Sequence, residues 1–209
     1  MASSLSSNLL PKLPLDTKWR FITNLASYNV LWFACIMAGS TGIQLMAVVM
    51  FAVLITVHLK WVSRNRQRDV LLMLCAALLG LLTDSALAAT GFLQFNATWP
   101  LLPTWVNPIW MLLLWAGFST TLYEMLGWSN NRVWLQVILG VTGGPPAYWG
   151  GMALGALDFE GSFWVISTLI AVQYGVGLPL LYWLGNRFDG GIPNFPIPAL
   201  VKKTESAQP

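Results

Sequence analysis

The chain has 209 residues, of which 56% are hydrophobic and only 9% are charged. An ordinary soluble domain has roughly a quarter of its residues charged. This composition therefore excludes an ordinary soluble domain and indicates a membrane protein. The net charge of +3 is too small, and its basic residues too clustered between apolar stretches, to indicate nucleic-acid binding.

Six apolar stretches follow one another along the chain, each long enough for a helix to cross ~30 Å of hydrocarbon at ~1.5 Å per residue. In lipid, backbone amides must be hydrogen-bonded within their own segment, so these stretches predict helices rather than strands. The predicted fold is all-α, a polytopic bundle of six transmembrane helices. The predicted helices cover residues 20–39, 41–60, 70–92, 105–126, 133–157 and 163–185.

The basic residues predict how the chain is threaded, because short loops rich in Lys and Arg remain in the cytoplasm. All eleven lie before the first stretch, between the second and third, between the fourth and fifth, or after the sixth. Both termini are therefore predicted to be cytoplasmic. This gives a cytoplasmic segment at residues 1–18, a transmembrane domain at 19–186 and a cytoplasmic tail at 187–209.

The histidine and cysteine content predicts no metal site. The chain has one histidine and two cysteines, too few for the usual ligand sets of structural or catalytic metals. Cys35 and Cys75 are predicted at different depths of the bundle, too far apart for a disulfide. We expect no metal and no cofactor.

Two ionisable side chains are predicted at the cytoplasmic ends of their helices. His58 ends the second stretch, and Glu124 lies near the end of the fourth, close in sequence to Arg132. Intramembrane charges are costly, whereas those near helix ends reach water. Both side chains are therefore predicted to be interfacial rather than catalytic.

The third stretch contains a single aspartate among small and apolar residues, in the sequence GLLTDSALAAT. Asp84 follows Asp69 by fifteen residues, so it lies ~22 Å deeper along the helix. Facing lipid would cost at least ~2.5 kcal/mol, which predicts that Asp84 points into a helix interface or an enclosed cavity. With no Lys or Arg at that depth, a neutral acid suited to proton donation or relay is expected. Alternatively, Asp84 only ties two helices together by a hydrogen bond.

The fifth stretch contains the sequence VTGGPPAYWGGMALGA. Pro145 and Pro146 lack amide donors and their rings clash with the preceding turn, so the fifth helix is predicted to be broken or sharply kinked between Gly143 and Pro146. Unpaired carbonyls at this depth require protein or a wet cavity to bind them. Tyr148 follows directly. The third and fifth helices run in the same direction, so Tyr148 is predicted at a depth similar to that of Asp84.

These features define one predicted site, a polar pocket inside the membrane. Its candidate catalytic residues are Asp84, as a buried acid, and Tyr148, which would orient it. The residues predicted to bind a substrate there are Gly143, Gly144, Pro145, Pro146, Asn107, Gln44 and Trp110.

Three motifs occur in a fixed order between about residues 29 and 184: GLLTDSAL, NPIWMLLLWAGFSTTL and GGPPAYWGGMALGAL. Together they resemble a family of uncharacterised proteobacterial inner-membrane proteins catalogued as domain of unknown function 2878. The resemblance implies a multi-pass protein of the bacterial inner membrane. It also implies genes that lie near those of lipid-modifying enzymes of the cyclopropane-synthase type and of flavin oxidoreductases. The resemblance implies no catalytic residue.

Three functions remain open from the sequence. The preferred one is binding or modification of a lipid or isoprenoid at the pocket around Asp84. The second is a small proton-coupled transporter, which a repeated spacing of Asn, Trp and Ala-Gly in the first and fourth stretches would favour. The third is a non-catalytic accessory subunit that docks another membrane protein or a second copy of the chain. Membrane lipids are the expected partners, and nucleic acid is not.

Overall fold

The computed structural model describes residues 15–190, which are mostly helical. Most of the predicted cytoplasmic segments at 1–18 and 187–209 lies outside the described residues. A π-helical turn at His58–Val62 extends α2, and a 3₁₀ turn at Gly127–Ser129 follows α5. The helices are α1 (Leu15–Thr41), α2 (Gln44–Val57), α3 (Arg66–Ala89), α4 (Ile109–Ser119), α5 (Thr121–Glu124), α6 (Val133–Ala153) and α7 (Phe163–Gly190).

Two short strands correct the all-α prediction. Strands β1 (Leu93–Phe95) and β2 (Leu157–Phe159) pair antiparallel, each just beyond the end of a helix. Both alternate in the way expected of a half-buried strand: the leucines that begin them are buried, and the central polar residues are exposed. The sequence prediction included residue 157 in a helix, because a strand this short is hard to distinguish from a helix end.

Four helices of the described chain are long and apolar enough to cross a membrane, namely residues 17–41, 44–62, 66–89 and 163–189. They correspond to the predicted first, second, third and sixth spans. The predicted fourth span is divided at Thr120 into α4 and α5. Around the division, the hydroxyls of Ser119, Thr120 and Thr121 each donate to the carbonyl three residues earlier, and such bonds compete with the regular helical pattern.

The predicted break in the fifth helix is absent. Helix α6 continues from Val133 to Ala153 with Pro145 and Pro146 inside it. The prolines deprive the carbonyls of Val141 and Thr142 of their helical donors, yet the helix persists. Packing of α6 against α7 supports it, and Gly140 and Gly144 bring the two helices close together.

The helices run between two ends of the bundle. At the first, which we call the basic end, Asn65 donates to Asp189 at 2.7 Å and the Arg20 guanidinium donates to the Val62 carbonyl. At the second, the sheet end, β1 pairs with β2 and the Asn96 amide donates to a backbone carbonyl just before β2. Residues 15–190 therefore cross the bundle six times, as α1, α2, α3, the α4–α5 pair, α6 and α7.

Candidate functional site

Asp84 lies in the half of α3 nearer the sheet end and is completely buried. One turn before Asp84 on the same helix, Gly80 faces α4. A Cβ added at Gly80 would overlap the indole ring of Trp115. The glycine therefore allows Trp115 to pack directly on α3, beside the carboxylate.

The Asp84 carboxylate accepts hydrogen bonds from four side chains. Oδ1 accepts from the Tyr148 hydroxyl at 2.6 Å and from Gln173 Nε2 at 2.5 Å. Oδ2 accepts from Trp115 Nε1 at 2.7 Å and from Asn107 Nδ2 at 3.1 Å. The donors come from α6, α7, α4 and the segment just before α4. Four donors fill the usual acceptor capacity of an ionised carboxylate. We call these five side chains the Asp84 cluster.

The side-chain amides of Gln173 and Asn107 each have a hydrogen-bond partner besides Asp84, and that partner fixes the orientation of the amide. The Thr83 hydroxyl donates its own proton to a backbone carbonyl, so it accepts from Gln173 Nε2 at 2.9 Å. Asn107 Nδ2 donates to the Gly80 carbonyl at 2.8 Å, and a carbonyl can only accept. Each amide therefore turns its NH₂ group, and not its oxygen, toward Asp84.

The hydrogen bonds are consequently arranged for a charged carboxylate. Trp115 and the two oriented amides can only donate, whereas the Tyr148 hydroxyl can donate or accept. Within the cluster, Tyr148 is the one partner that could accept a hydrogen bond from a protonated Asp84. The sequence prediction of a neutral acid considered burial alone, without the opposing hydrogen bonds from α4 and α7.

A cavity of about 310 Å³ lies beside the cluster, among α1, α4, α6 and α7. Its wall is mostly apolar and aromatic, and it includes Trp115 and Tyr148 of the cluster together with Tyr28 and Tyr174. Gly143 also lines the cavity and is exposed on the outer surface of α6, where a Cβ would meet nothing within 4 Å. On the α6 side, the boundary of the cavity at Gly143 therefore has no side chain to close it.

Two glycines of α6 hold Tyr174 at the cavity wall. A Cβ added at Gly140 would overlap the backbone of Tyr174, and one added at Gly144 would lie 2.7 Å from its ring. The Tyr174 ring stacks on Trp115 with centroids 4.7 Å apart, and it meets Tyr148 edge-on at 5.8 Å. The close approach of α6 and α7 thus builds one aromatic wall over the carboxylate.

The structure brings together only part of the predicted pocket. Asp84, Tyr148 and Asn107 are hydrogen-bonded in one cluster, and Gly143 and Gly144 line the adjacent cavity. Neither Pro145 nor Pro146 is among the residues that line this cavity, because α6 continues as a helix and turns them away.

Gln44 and Trp110 also lie outside the pocket. Gln44 begins α2, and its buried side-chain oxygen has no hydrogen-bond partner in the described part of the chain. Trp110 is fully buried, donates to the Ala97 carbonyl at 3.1 Å and packs against Gly39 at the sheet end. Both residues were placed by depth alone, and their side chains project in other directions.

Sequence reasoning missed Gln173, Trp115, Tyr174 and Tyr28. Gln173 had a visible signal, because it is the one amide in the apolar run IAVQYGVG of the sixth span. A polar residue in such a run usually faces the bundle interior. The three aromatic residues had no comparable signal, since an aromatic side chain in an apolar helix can face either the lipid or the bundle interior.

A second polar network lies at the basic end. His58 is buried, although contact with water was expected, and its Nε2 lies 3.1 Å from Asp69 Oδ2, which also accepts from Ser63. Arg68 bridges Asp69 and Asp189. No group of three or more histidine, cysteine or acidic side chains able to hold a metal occurs within residues 15–190.

Glu124 differs from its predicted environment as well. Its side chain is only 3% exposed, and its Oε2 lies 3.9 Å from Arg64 Nε, a cation other than the predicted Arg132. The division of the predicted fourth span into α4 and α5 places this glutamate at the end of a four-residue helix, where its side chain turns inward.

The four long apolar helices, with their lipid-compatible exposed surface, define a helical membrane protein. The chain belongs to the family described as "Protein of unknown function (DUF2878)", which matches residues 21–189. No curated protein and no solved structure is significantly similar to it. The family brings no activity with it, so function has to be argued from the site.

Proposed function

We propose that this protein is a multi-pass protein of the bacterial inner membrane that binds a lipid or isoprenoid chain in the cavity beside the Asp84 cluster. The proposal includes six membrane crossings and cytoplasmic termini. Supporting this orientation, the eight basic residues between positions 15 and 190 belong to the basic end and its flanking segments, and the sheet end of the same range has none.

The observation that carries the proposal is the position of the cavity. An apolar, aromatic wall encloses about 310 Å³, at the lower end of the range typical of small-molecule sites. Its boundary at Gly143 lies on an outer helix surface that acyl chains would contact. An apolar chain could therefore enter sideways from the bilayer without passing through the headgroup layer.

The cluster favours binding over chemical modification. Both oxygens of Asp84 are engaged by donors, so neither is free to take a proton from a substrate. Asp84 itself does not line the cavity, whereas Trp115 and Tyr148 do. In this arrangement the carboxylate holds the indole and phenol in place, and these two rings contact the ligand.

The proposal is tested by measuring the amount of lipid that copurifies with the protein. The full chain is purified in a mild detergent, its lipids are extracted, and they are quantified by mass spectrometry. Wild type should retain a stoichiometric lipid or isoprenoid. Gly143→Leu and Ala147→Phe fill the cavity and should lower its occupancy at least tenfold.

Thr142→Leu is the matched control. Thr142 is exposed next to Gly143 on the same helix but does not line the cavity, so this variant should retain the wild-type amount. Equal lipid content in wild type and both cavity variants, or none in wild type, would refute the proposal.

A second function, proton-coupled transport, is favoured by one observation. Within the Asp84 cluster, the Tyr148 hydroxyl is the one partner of Asp84 that can both donate a hydrogen bond to it and accept one from it, and Tyr148 also lines the cavity. Proteoliposomes containing the protein should then take up protons when a substrate gradient is imposed, and Tyr148→Phe should abolish the uptake. Proton permeability equal to that of empty liposomes with every lipid tested would exclude this function.

A further inference from the structure

A second cavity, of about 700 Å³, lies at the basic end and shares no lining residue with the cavity beside Asp84. It is bounded by the start of α1, the segment before α3, and the region from α5 to the following 3₁₀ turn. We call it the basic-end cavity. Its lining includes Lys18, Phe21, Ile22, Arg64, Glu124 and Trp128.

The basic-end cavity contains a buried carboxylate whose hydrogen-bonding capacity is unused. The side chain of Glu124 is 3% exposed, and its Oε1 is buried with no partner among the described residues. Its Oε2 lies 3.9 Å from Arg64 Nε, at the outer limit of an ion pair. A buried acceptor without a donor is unfavourable, so this site is suited to a ligand that brings a hydrogen-bond donor or a positive charge.

The same cavity has two cations at its rim. Arg64 has a side chain that is 57% exposed, and Lys18 is exposed with no hydrogen bond or ion pair found within residues 15–190. Guanidinium and ammonium groups are the usual protein ligands of phosphate. The site thus offers a buried negative charge and an exposed positive rim a short distance apart.

The apolar part of the lining continues along α1. Phe21 and Ile22 are exposed on that helix, and Trp128, 56% exposed, lies on the opposite wall. Tryptophan at a helix end prefers the level of the lipid headgroups. A ligand held by the charges would therefore have apolar surface beside it on which acyl chains could lie.

We propose that the basic-end cavity binds the headgroup of a phospholipid that carries a primary amine. The ammonium donates to Glu124, the phosphate accepts from Arg64 and Lys18, and the acyl chains lie against Phe21 and Ile22. A headgroup with phosphate alone leaves the Glu124 oxygen without a donor. A trimethylammonium headgroup has no N–H to donate. This site is separate from the cavity of the proposed function and does not depend on it.

The experiment compares three lipids on the purified full chain by native mass spectrometry: phosphatidylethanolamine, phosphatidylcholine and phosphatidylglycerol with identical acyl chains. Phosphatidylethanolamine should bind wild type at least tenfold more tightly than phosphatidylcholine. Glu124→Gln should reduce this preference to less than twofold. The double variant Lys18→Gln with Arg64→Gln should weaken binding of all three lipids at least fivefold.

Two matched variants control for charge. Glu160→Gln removes an exposed glutamate at the sheet end, and Arg132→Gln removes an exposed arginine that does not line the cavity. Both should keep the wild-type preference. Gly143→Leu should also keep the wild-type preference for phosphatidylethanolamine. Loss of lipid from the Asp84 cavity and loss of headgroup selectivity can therefore be told apart.

A soluble competitor distinguishes a lipid site from a general anion site. Phosphoethanolamine in excess should displace bound phosphatidylethanolamine, whereas inorganic phosphate at the same concentration should not. Equal affinity of wild type for phosphatidylethanolamine and phosphatidylcholine, or equal displacement by inorganic phosphate, would overturn the proposal. Both comparisons use wild type, so they decide the question even if Glu124→Gln does not fold.

Discussion

The Tyr148 hydroxyl on α6 donates to Asp84 Oδ1 on α3 at 2.6 Å, and it is the one donor of the cluster that could also accept a hydrogen bond. The remaining three donors are nitrogen groups that cannot accept. This contact joins α3 and α6 in the core, and it adjoins the cavity. The stability of the protein should depend strongly on it.

Asp84→Asn should destabilise the protein by at least about 2 kcal/mol. The variant replaces one acceptor oxygen with an NH₂ group that opposes two donors, and each buried unsatisfied group costs about 1–3 kcal/mol. Thermal unfolding in detergent measures the change. Asp158→Asn, at an exposed position in β2, should change stability by no more than about 0.5 kcal/mol. If Asp84→Asn were as stable as wild type, the carboxyl would be protonated in the native protein.

Tyr148→Phe and Gln173→Leu should show a non-additive effect on stability. Both donors bind the same oxygen, Oδ1, and each loss should cost about 1–2 kcal/mol. Side chains that share one partner typically couple by at least about 0.5 kcal/mol in a double-mutant cycle. Tyr148→Phe combined with Tyr123→Phe, at the basic end, should be additive within that limit. Additivity in both cycles would contradict the shared-acceptor geometry.

Gly140→Ala and Gly143→Ala should act in opposite directions although the glycines lie within one turn of α6. A Cβ at Gly140 would overlap the backbone of Tyr174 and force α6 and α7 apart, with a loss of about 1–3 kcal/mol. A Cβ at Gly143 meets nothing within 4 Å, so Gly143→Ala should gain up to about 1 kcal/mol from helix propensity. Unfolding midpoints of the two variants provide the comparison.

Pro146→Ala should raise the stability of the protein, because α6 is a continuous helix at this position. Alanine restores an amide that can donate to the Thr142 carbonyl, and its helix propensity exceeds that of proline by about 3 kcal/mol. Pro103→Ala, in the exposed segment before α4, should instead lower stability by about 0.4–1 kcal/mol, since the loop loses rigidity. A loss of stability in Pro146→Ala would indicate that the proline is required where it stands.

Depth along the bundle could be read from the sequence, because a helix rises by a fixed ~1.5 Å per residue. The sequence alone therefore predicts that Asp84 and Tyr148 lie at one level. The direction in which each side chain projects around its helix depends on how the helices pack. Gln44 and Trp110 were assigned to the pocket by level alone, and the structure places both elsewhere.

The proline pair shows a different limit of the sequence. The rule that proline interrupts a helix is local, and it accounts for the loss of two backbone hydrogen bonds. It does not account for the contacts that α6 gains by packing closely on α7 through Gly140 and Gly144. Tertiary packing outweighs the local preference here, and the pattern GGPP by itself carries no information about that packing.

All four side chains that bind Asp84 come after it in the chain: Asn107, Trp115, Tyr148 and Gln173. During synthesis on the ribosome the acid therefore emerges before any of its ligands, and the last of them arrives only with the final helix. A nascent chain that stops short of α7 therefore lacks one of the two donors to Oδ1, and the buried site is completed only when Gln173 has been synthesised.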